Sequence, residues 1–263
     1  MTFQLPGALS AQAERKLWRA GILTWEDYRQ SGDTYFSPRR HMAILAAIEK
    51  VEQLLRSDPS PKQLLTVASP AWLSRLFPIL AEHALYLDIE TTGLRSYDTI
   101  TAVTFYYQSQ LTFFVSGLNL SELPRAMPGS AVLVSFHGRR FDLPRLRRHF
   151  RLPFALPHLD LGALARKLGL PGSLLECLDH LGIPWPRDLP CRGCEAPELW
   201  ARHQAGQKEA LRTLLRYNAW HAVVLERLWA TMWSNSVTAF PIGLACQLPP
   251  LPDVEGAVRR FLG

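Results

Sequence analysis

The segment LYLDIETTGL, residues 85–94, sets two carboxylates two positions apart in an apolar, β-prone run. Side chains alternate faces along a strand, so Asp88 and Glu90 point the same way. Like charges at that spacing repel, and burying them is costly unless something positive lies between them. A pair of carboxylates on one strand face is a hard-oxygen site of the kind that suits Mg²⁺ or Mn²⁺. The bland alternative is an exposed strand end with solvated acids. The rest of the chain has to decide between the two.

The 263 residues are enough for one large domain or for a domain with an appendage. Residues 1–57 read as a helical N-terminal segment, with apolar residues near helical spacing and a second amphipathic stretch, PRRHMAILAAIEKVEQLL. SDPSPK, 57–62, reads as a linker. The main domain is expected over 65–238. In it LYLDIE, TITAVTFYY, LTFFVSG and AVLVSFH are β-rich, the first three spaced for a meander. FDLPRLRRHF, DLGALARKLG, SLLECLDHLG and the long stretch from Gln207 to Trp233 read as helices. Strands followed by alternating strand and helices imply an α/β fold, a mixed sheet flanked by helices. Residues 239–263 read as an irregular, Pro-rich tail.

Two further segments bear on the acids. FHGRRFDLPRL places Asp142 at the start of a helix just after a strand, and LRYNAWHAVVLERL places Tyr217 inside a long helix. DIETTGL, then G-x-x-F-D, then the helical Y-N resemble the three motifs of the DEDD 3′–5′ exonucleases of the ribonuclease H-like superfamily. More narrowly, the PG…E..LW..GI.TW pattern at 6–25, HLDLGALARKLG with Asp160, and R-D-L-P at 187–190 resemble the YprB-like branch. The resemblance spans nearly all of residues 1–230.

The resemblance implies a metal-dependent 3′–5′ exonuclease using two ions, Mg²⁺ or Mn²⁺. Asp88 would bridge both ions. Glu90 would bind the first ion and the nucleophilic water, and Asp142 would hold the second. Tyr217 would orient the attacking water. Thr91 would contact the terminal 3′-hydroxyl, and Leu94 would wedge against the last base. The substrate would be nucleic acid with a free 3′ end, DNA favoured over RNA, with a helicase partner and a role in DNA repair. The chain departs from the pattern at His221, four residues after Tyr217 on the same helix face, where the family has an Asp. His221 can ligate Mn²⁺ but is a poor ligand for Mg²⁺. The site is therefore either a metal-shifted nuclease or a catalytically degenerate nucleic-acid-binding protein. A structural partner of a helicase is a third reading.

The net charge of +6 favours a polyanionic partner, although Arg over Lys with abundant Ala, Leu and Pro also follows from a GC-rich genome. RRFDLPRLRRHFR, 139–151, carries six arginines beside Asp142. Arg139, Arg140, Arg145, Arg147, Arg148 and Arg151 are expected to form a phosphate track. Cys177, His180, Cys191 and Cys194 have ligand-like spacing for zinc, but loop thiols are the simpler reading. His137 and His158 read as packed or surface histidines, and most tryptophans as core. No apolar run reaches the roughly 18 residues of a membrane span, and the N-terminus lacks a signal-peptide pattern. No membrane association and a cytoplasmic location are expected.

Overall fold

The computed structural model describes residues 2–5, 9–95, 97–129, 131–189, 195–238 and 247–263. The chain divides into two compact units, Met1–Pro78 with Met232–Gln247, and Ile79–Thr231 with Leu248–Gly263. Residues 6–8 of the N-terminal signature, Pro190 of the R-D-L-P segment, and Cys191 and Cys194 lie outside the described residues.

The first unit is helical. α1 (Ala11–Arg19) starts where the Ser10 side chain accepts from the Ala13 amide. α2 (Trp25–Ser31) is opened by a reciprocal capping box between Thr24 and Asp27. α3 (Pro38–Arg56), α4 (Pro61–Val67) and α5 (Pro70–Arg75) each begin with proline, whose fixed φ suits the first helical position. SDPSPK therefore runs into helix at Pro61 instead of remaining linker throughout. Leu17, Trp18, Trp25, Tyr28, Ile44, Ile48 and Val51 are buried.

One charge is buried with them. Glu14 pairs with Arg75 at 2.9 Å and also accepts from the Phe3 amide, the Thr2 hydroxyl and the Gln4 carboxamide. Burial pushes the Glu14 carboxyl up, but hydrogen bonds and charge from Arg75, with Gln4 and Thr2, outweigh it and hold the group below its ordinary value.

After a short helix, α6 (Phe77–Leu80), comes the sheet of the second unit. Its strands are β1 (Ala84–Thr91), β2 (Ile100–Tyr107), β3 (Gln110–Val115), β4 (Val132–Ser135) and β5 (His158–Asp160), in the order β3-β2-β1-β4-β5. β1, β2 and β3 form the expected antiparallel meander, while β4 and β5 run parallel to β1. The helices are α7 (Leu123–Ala126), α8 (Asp142–Phe150), α9 (Leu161–Lys167), α10 (Leu174–His180), α11 (Glu195–Gln204), α12 (Lys208–Val237) and α13 (Val254–Leu262). α12 belongs to this unit as far as Thr231. The architecture is the mixed sheet with flanking helices implied by the order of elements.

Two local readings change. His158–Asp160 is an unexpected strand, and Asp160, read as the start of the following helix, is its last residue and the helix N-cap; three residues are too few to show a period of two. Leu133 donates its amide to the Pro157 carbonyl at 2.8 Å, which starts that pairing. Val254–Leu262 is a helix within the stretch expected to be irregular; Asp253 caps the Gly256 amide, and Val254 and Val258 are buried. The prolines just before it conceal a short amphipathic segment.

Alternation along β1 sorts its side chains. Leu85, Leu87 and Ile89 enter a core with Val103, Phe105, Phe114 and Leu133, closed by Leu143 and Leu146 of α8. Asp88 and Glu90 take the opposite face, paired in register with Thr104 and Ala102 of β2. They lie near the carboxyl end of β1, the end at which open α/β sheets bind ligands.

Cutting the Glu14–Arg75 pair tests how far the first unit depends on it. Arg75→Ala leaves a buried carboxylate without its cation and is expected to cost about 3–5 kcal/mol. Glu14 is lowered on folding, so its contribution is present above the ordinary carboxyl range and is lost as pH falls through the lowered folded value. Urea unfolding of wild type and Arg75→Ala at neutral and acid pH measures both effects. A difference that stays constant with pH would remove the pair from the account.

Candidate metal centre

The end of β1 is shaped by its own motif. The β1–β2 register shifts between Glu90 and Thr91. Thr91 then donates its hydroxyl to the Gly93 carbonyl at 2.5 Å, and Asp98 accepts from the Arg95 amide at 2.6 Å. A Cβ on Gly93 would stand 2.6 Å from Asp98 Oδ2, so only glycine lets that carboxylate close the turn. Leu94, four residues after Glu90, is left 77% exposed.

Asp142 is placed by the turn between β4 and α8. A Cβ on Gly138 would sit 2.0 Å from Ser135 Oγ and 2.6 Å from Asp142 Oδ2. The glycine of G-x-x-F-D is therefore a steric requirement of bringing that carboxyl in. Asp142 is buried at the first position of α8, where the helix dipole favours an acid.

α12 supplies the third wall. His221 Nδ1 lies 3.4 Å from Asp88 Oδ2 and 3.9 Å from Glu90 Oε1. Tyr217, one turn earlier, is buried with its ring centroid 4.3 Å from that of His221. Asn218 is fully buried and donates Nδ2 to Asp88 Oδ2 at 2.6 Å. Its Oδ1 has no hydrogen-bond partner among the described residues.

The electrostatics are unfavourable without a cation. Burial first, then the charges of Asp88 and Asp142, push Glu90 well above its ordinary value. Burial and the Asp88 charge do the same to Asp142. Ligand atoms of Asp88, Glu90 and His221 all lie within 4.8 Å of one another. Metal–oxygen distances of about 2.0–2.6 Å put co-ligands at most about 5 Å apart, so the three fit a single ion. Two carboxylate oxygens and one imidazole nitrogen suit Mn²⁺ better than Mg²⁺. Asp142 stands outside that triad, close enough for its charge to act on Glu90.

The arginines divide. Arg139, Arg140 and Arg151 are exposed. Arg147 bonds the Pro153 carbonyl and Arg148 the Asp98 carbonyl, both from exposed positions. Arg145, expected in the phosphate track, is buried instead. It donates to the Leu94 carbonyl at 2.8 Å and to the Phe141 carbonyl at 3.3 Å, with its guanidinium 3.6 Å from the Phe141 ring centroid. It braces the turn after β1 from within.

His158 bonds Ser135 Oγ at 2.8 Å, and His137 bonds the Gly172 carbonyl at 2.7 Å, both consistent with packed histidines. Cys177 is buried and donates to the Pro171 carbonyl at 3.0 Å, while His180 is exposed.

Sequence reasoning did not single out three residues at or beside the site. Asn218 sits next to Tyr217 in the motif, and only the packing of α12 on β1 aims it at Asp88. Trp185 stacks at 5.1 Å between ring centroids on His221 and meets Tyr217 edge-on. Its one sequence signal is the rigid Pro184-Trp185-Pro186 setting. Asp188 pins that segment to α12 through Arg216 at 2.6 Å. Asp160, noted for its motif, accepts from the His137, Arg139 and Ala163 amides and so ties the β4–α8 turn to α9.

A family model described as RNase_H superfamily matches residues 85–233, more than half of the chain, and the chain belongs to that superfamily. No curated protein matches it. Membership points to nuclease chemistry on nucleic acid with divalent metal ions. Among the described residues no helix is long and apolar enough to cross a membrane.

Glu90 and Asp142 hold protons to higher pH in the fold than in the unfolded chain. Between the ordinary carboxyl range and the raised values the fold binds more protons, so stability falls as pH rises. Chelator-treated protein is expected to show this decline in urea midpoints as pH rises above the ordinary carboxyl range. Glu90→Gln and Asp142→Asn should each flatten it. Declines that match wild type in both variants would mean the acids do not repel as described.

Proposed function

We propose that this member of the ribonuclease H superfamily is a metal-dependent 3′–5′ exonuclease of the DEDD type, in the YprB-like branch. Its substrate is nucleic acid with a free 3′ end, DNA in preference to RNA, and its setting is DNA repair in the cytoplasm with a helicase partner. One observation carries the reading: Asp88, Glu90 and His221 converge at the carboxyl end of β1, with Asp142 buried beside them.

Asp88, Glu90 and His221 would hold one ion, and Asp88 with Asp142 a second. When bound, divalent ions supply the positive charge that activates water and stabilises the departing 3′-oxygen. The protein's own groups do the positioning. Asn218 fixes the rotamer of Asp88 by its hydrogen bond. Trp185 and Tyr217 pack on His221 and limit its ring to a narrow range of orientations. Tyr217 orients the attacking water. Leu94, exposed in the turn after β1, packs on the terminal base, and the Thr91 backbone contacts the 3′-hydroxyl. Arg139, Arg140 and Arg151 take the phosphates of the incoming strand, a role withdrawn from Arg145.

A second reading rests on His221. Protonated, its imidazolium lies 3.4 Å from Asp88 and 3.9 Å from Glu90 and supplies the positive charge without any ion. The groove would then bind nucleic acid and not cut it.

The test uses 5′- and 3′-labelled DNA and RNA strands with Mg²⁺ or Mn²⁺. The exonuclease shortens 5′-labelled strands stepwise from the far end, faster with Mn²⁺. Asp88→Asn removes the activity and also the Mn²⁺-induced rise in melting temperature, worth about 2.7 kcal/mol at a hundredfold excess over Kd. His221→Asp raises the Mg²⁺ rate more than the Mn²⁺ rate. Wild type inert in both metals, with binding retained, supports the second reading. Equal cutting in both metals, unaltered by His221→Asp, would place His221 outside the site.

A further inference from the structure

α1 carries its charge on one stripe. Gln12, Arg15, Lys16 and Arg19 are spaced i, i+3, i+4 and i+7 and so share one face. The opposite face is fixed inward, because Glu14, Leu17 and Trp18 are buried. Arg40, from the first turn of α3, joins that stripe around a concave surface of about 640 Å³. No carboxylate lines it. Among the described residues none of the four cations lies within ion-pair distance of an acid.

Two of these positions are electrostatically unfavourable in the isolated chain. Lys16 and Arg19 occupy the last turn of α1, where the helix dipole favours cations. Arg15 has no such compensation and repels Arg19 across one turn. Arg40 stands in the first turn of α3, where the dipole disfavours a cation, and the Phe36 ring 5.5 Å from its guanidinium offsets that only in part. That turn holds no acid, and the Ser37 side chain makes no capping bond. An anion in the concavity relieves both costs at once.

We propose that this surface of the helical unit is a second nucleic-acid contact, binding the phosphate backbone through Arg15, Lys16, Arg19 and Arg40. Three arginines among four cations suit phosphate oxygens, which guanidinium groups grip in pairs. Four of its seven lining residues are cations, the others being Ser10, Gln12 and Ala13, and no aromatic ring lines it to stack a base, so the site reads chiefly charge and spacing. It is independent of whether the metal centre cuts.

The experiment is a salt titration of the affinity for fluorescent duplex and single-stranded DNA, in chelator so that no cleavage occurs. Arg15→Gln/Arg40→Gln is compared with Arg125→Gln/Arg166→Gln, which removes the same charge from exposed positions of α7 and α9. The first pair is expected to lower the slope of log K against log salt by about 0.9 per contact on duplex, or about 0.7 on single strands. The second pair is expected to leave it near wild type. Circular dichroism melts verify that both doubles fold; if the first double does not, Arg40→Gln alone is expected to lose one contact. Rates of Mn²⁺-dependent removal of a nucleotide from a short labelled strand should be alike in all folded variants. Equal slope losses in the two doubles would reduce the effect to net charge and overturn the proposal. So would an unchanged slope. Loss of binding to phosphatidylserine vesicles, with DNA binding intact, would assign the surface to lipid and overturn it as well.

Discussion

Repulsion between carboxylates on one face of β1 is the constraint around which the second unit is arranged. Asp88 and Glu90 cannot avoid sharing that face, since the strand alternates and Leu87 and Ile89 are claimed by the core. The chain then adds a third acid, Asp142, and buries it nearby. What it supplies to offset them is small. Asn218 gives one N–H, and His221 gives one nitrogen that can either bear a proton or ligate an ion. The Arg145 charge lowers Asp142 only as a minor effect, because its guanidinium is committed to the Leu94 and Phe141 carbonyls. A fold that buries two acids beside a half-buried third, and withholds its nearest arginine, leaves a carboxylate cluster short of positive charge.

Two other acids in the same chain, one buried and one half-buried, show what a closed solution looks like. Glu14 is as deeply buried, yet it is lowered, because Arg75 and three further donors answer it within the fold. Glu226, further along α12, is raised by burial but shares a hydrogen bond with the Tyr106 hydroxyl, itself pushed up to about 12. Glu226 thus has a hydrogen-bond donor in Tyr106 and a nearby cation in Arg227 to offset its partial burial. At Glu90 and Asp142 neither remedy is complete. The contrast separates acids that hold the fold together from acids that cost it stability, and the second kind marks a binding site.

The sequence made the acids legible because their chemistry is local: alternation, a glycine and a helix start can each be read from a few letters. Asp88 and Glu90 follow from period two, and Asp142 from a strand–turn–helix pattern. Tyr217 and His221 share a face by helical spacing. What could not be read depends on long-range packing. Arg145 belongs by composition to a basic run, and only the fold of the 92–98 turn onto α8 turns it inward. Trp185 comes from a loop 36 residues before His221, counted along the sequence. The strand at 158–160 and the helix at 254–262 were hidden for a simpler reason. One is too short to show a period, and the other follows prolines that signal irregular chain.

Arg145 also explains why one helix matters to both halves of the site. α8 carries Asp142 at its first position and Arg145 one turn later. Through Arg145 it holds the Leu94 carbonyl, and through Arg148 the Asp98 carbonyl. The turn that presents Leu94 is therefore fastened to the element that presents an acid. Asp98 closes the same turn by accepting the Arg95 amide against Gly93. In the proposed reaction the terminal base meets that turn while its phosphate meets the acids. Two groups of one substrate must then be positioned relative to each other, to within fractions of an ångström. The proposed reaction asks for a turn held to α8, and the Arg145 and Arg148 bonds to the Leu94 and Asp98 carbonyls hold it there. The arginine that the basic run seemed to assign to the substrate is committed instead to the Leu94 and Phe141 carbonyls, tying the turn after β1 to the helix that carries Asp142.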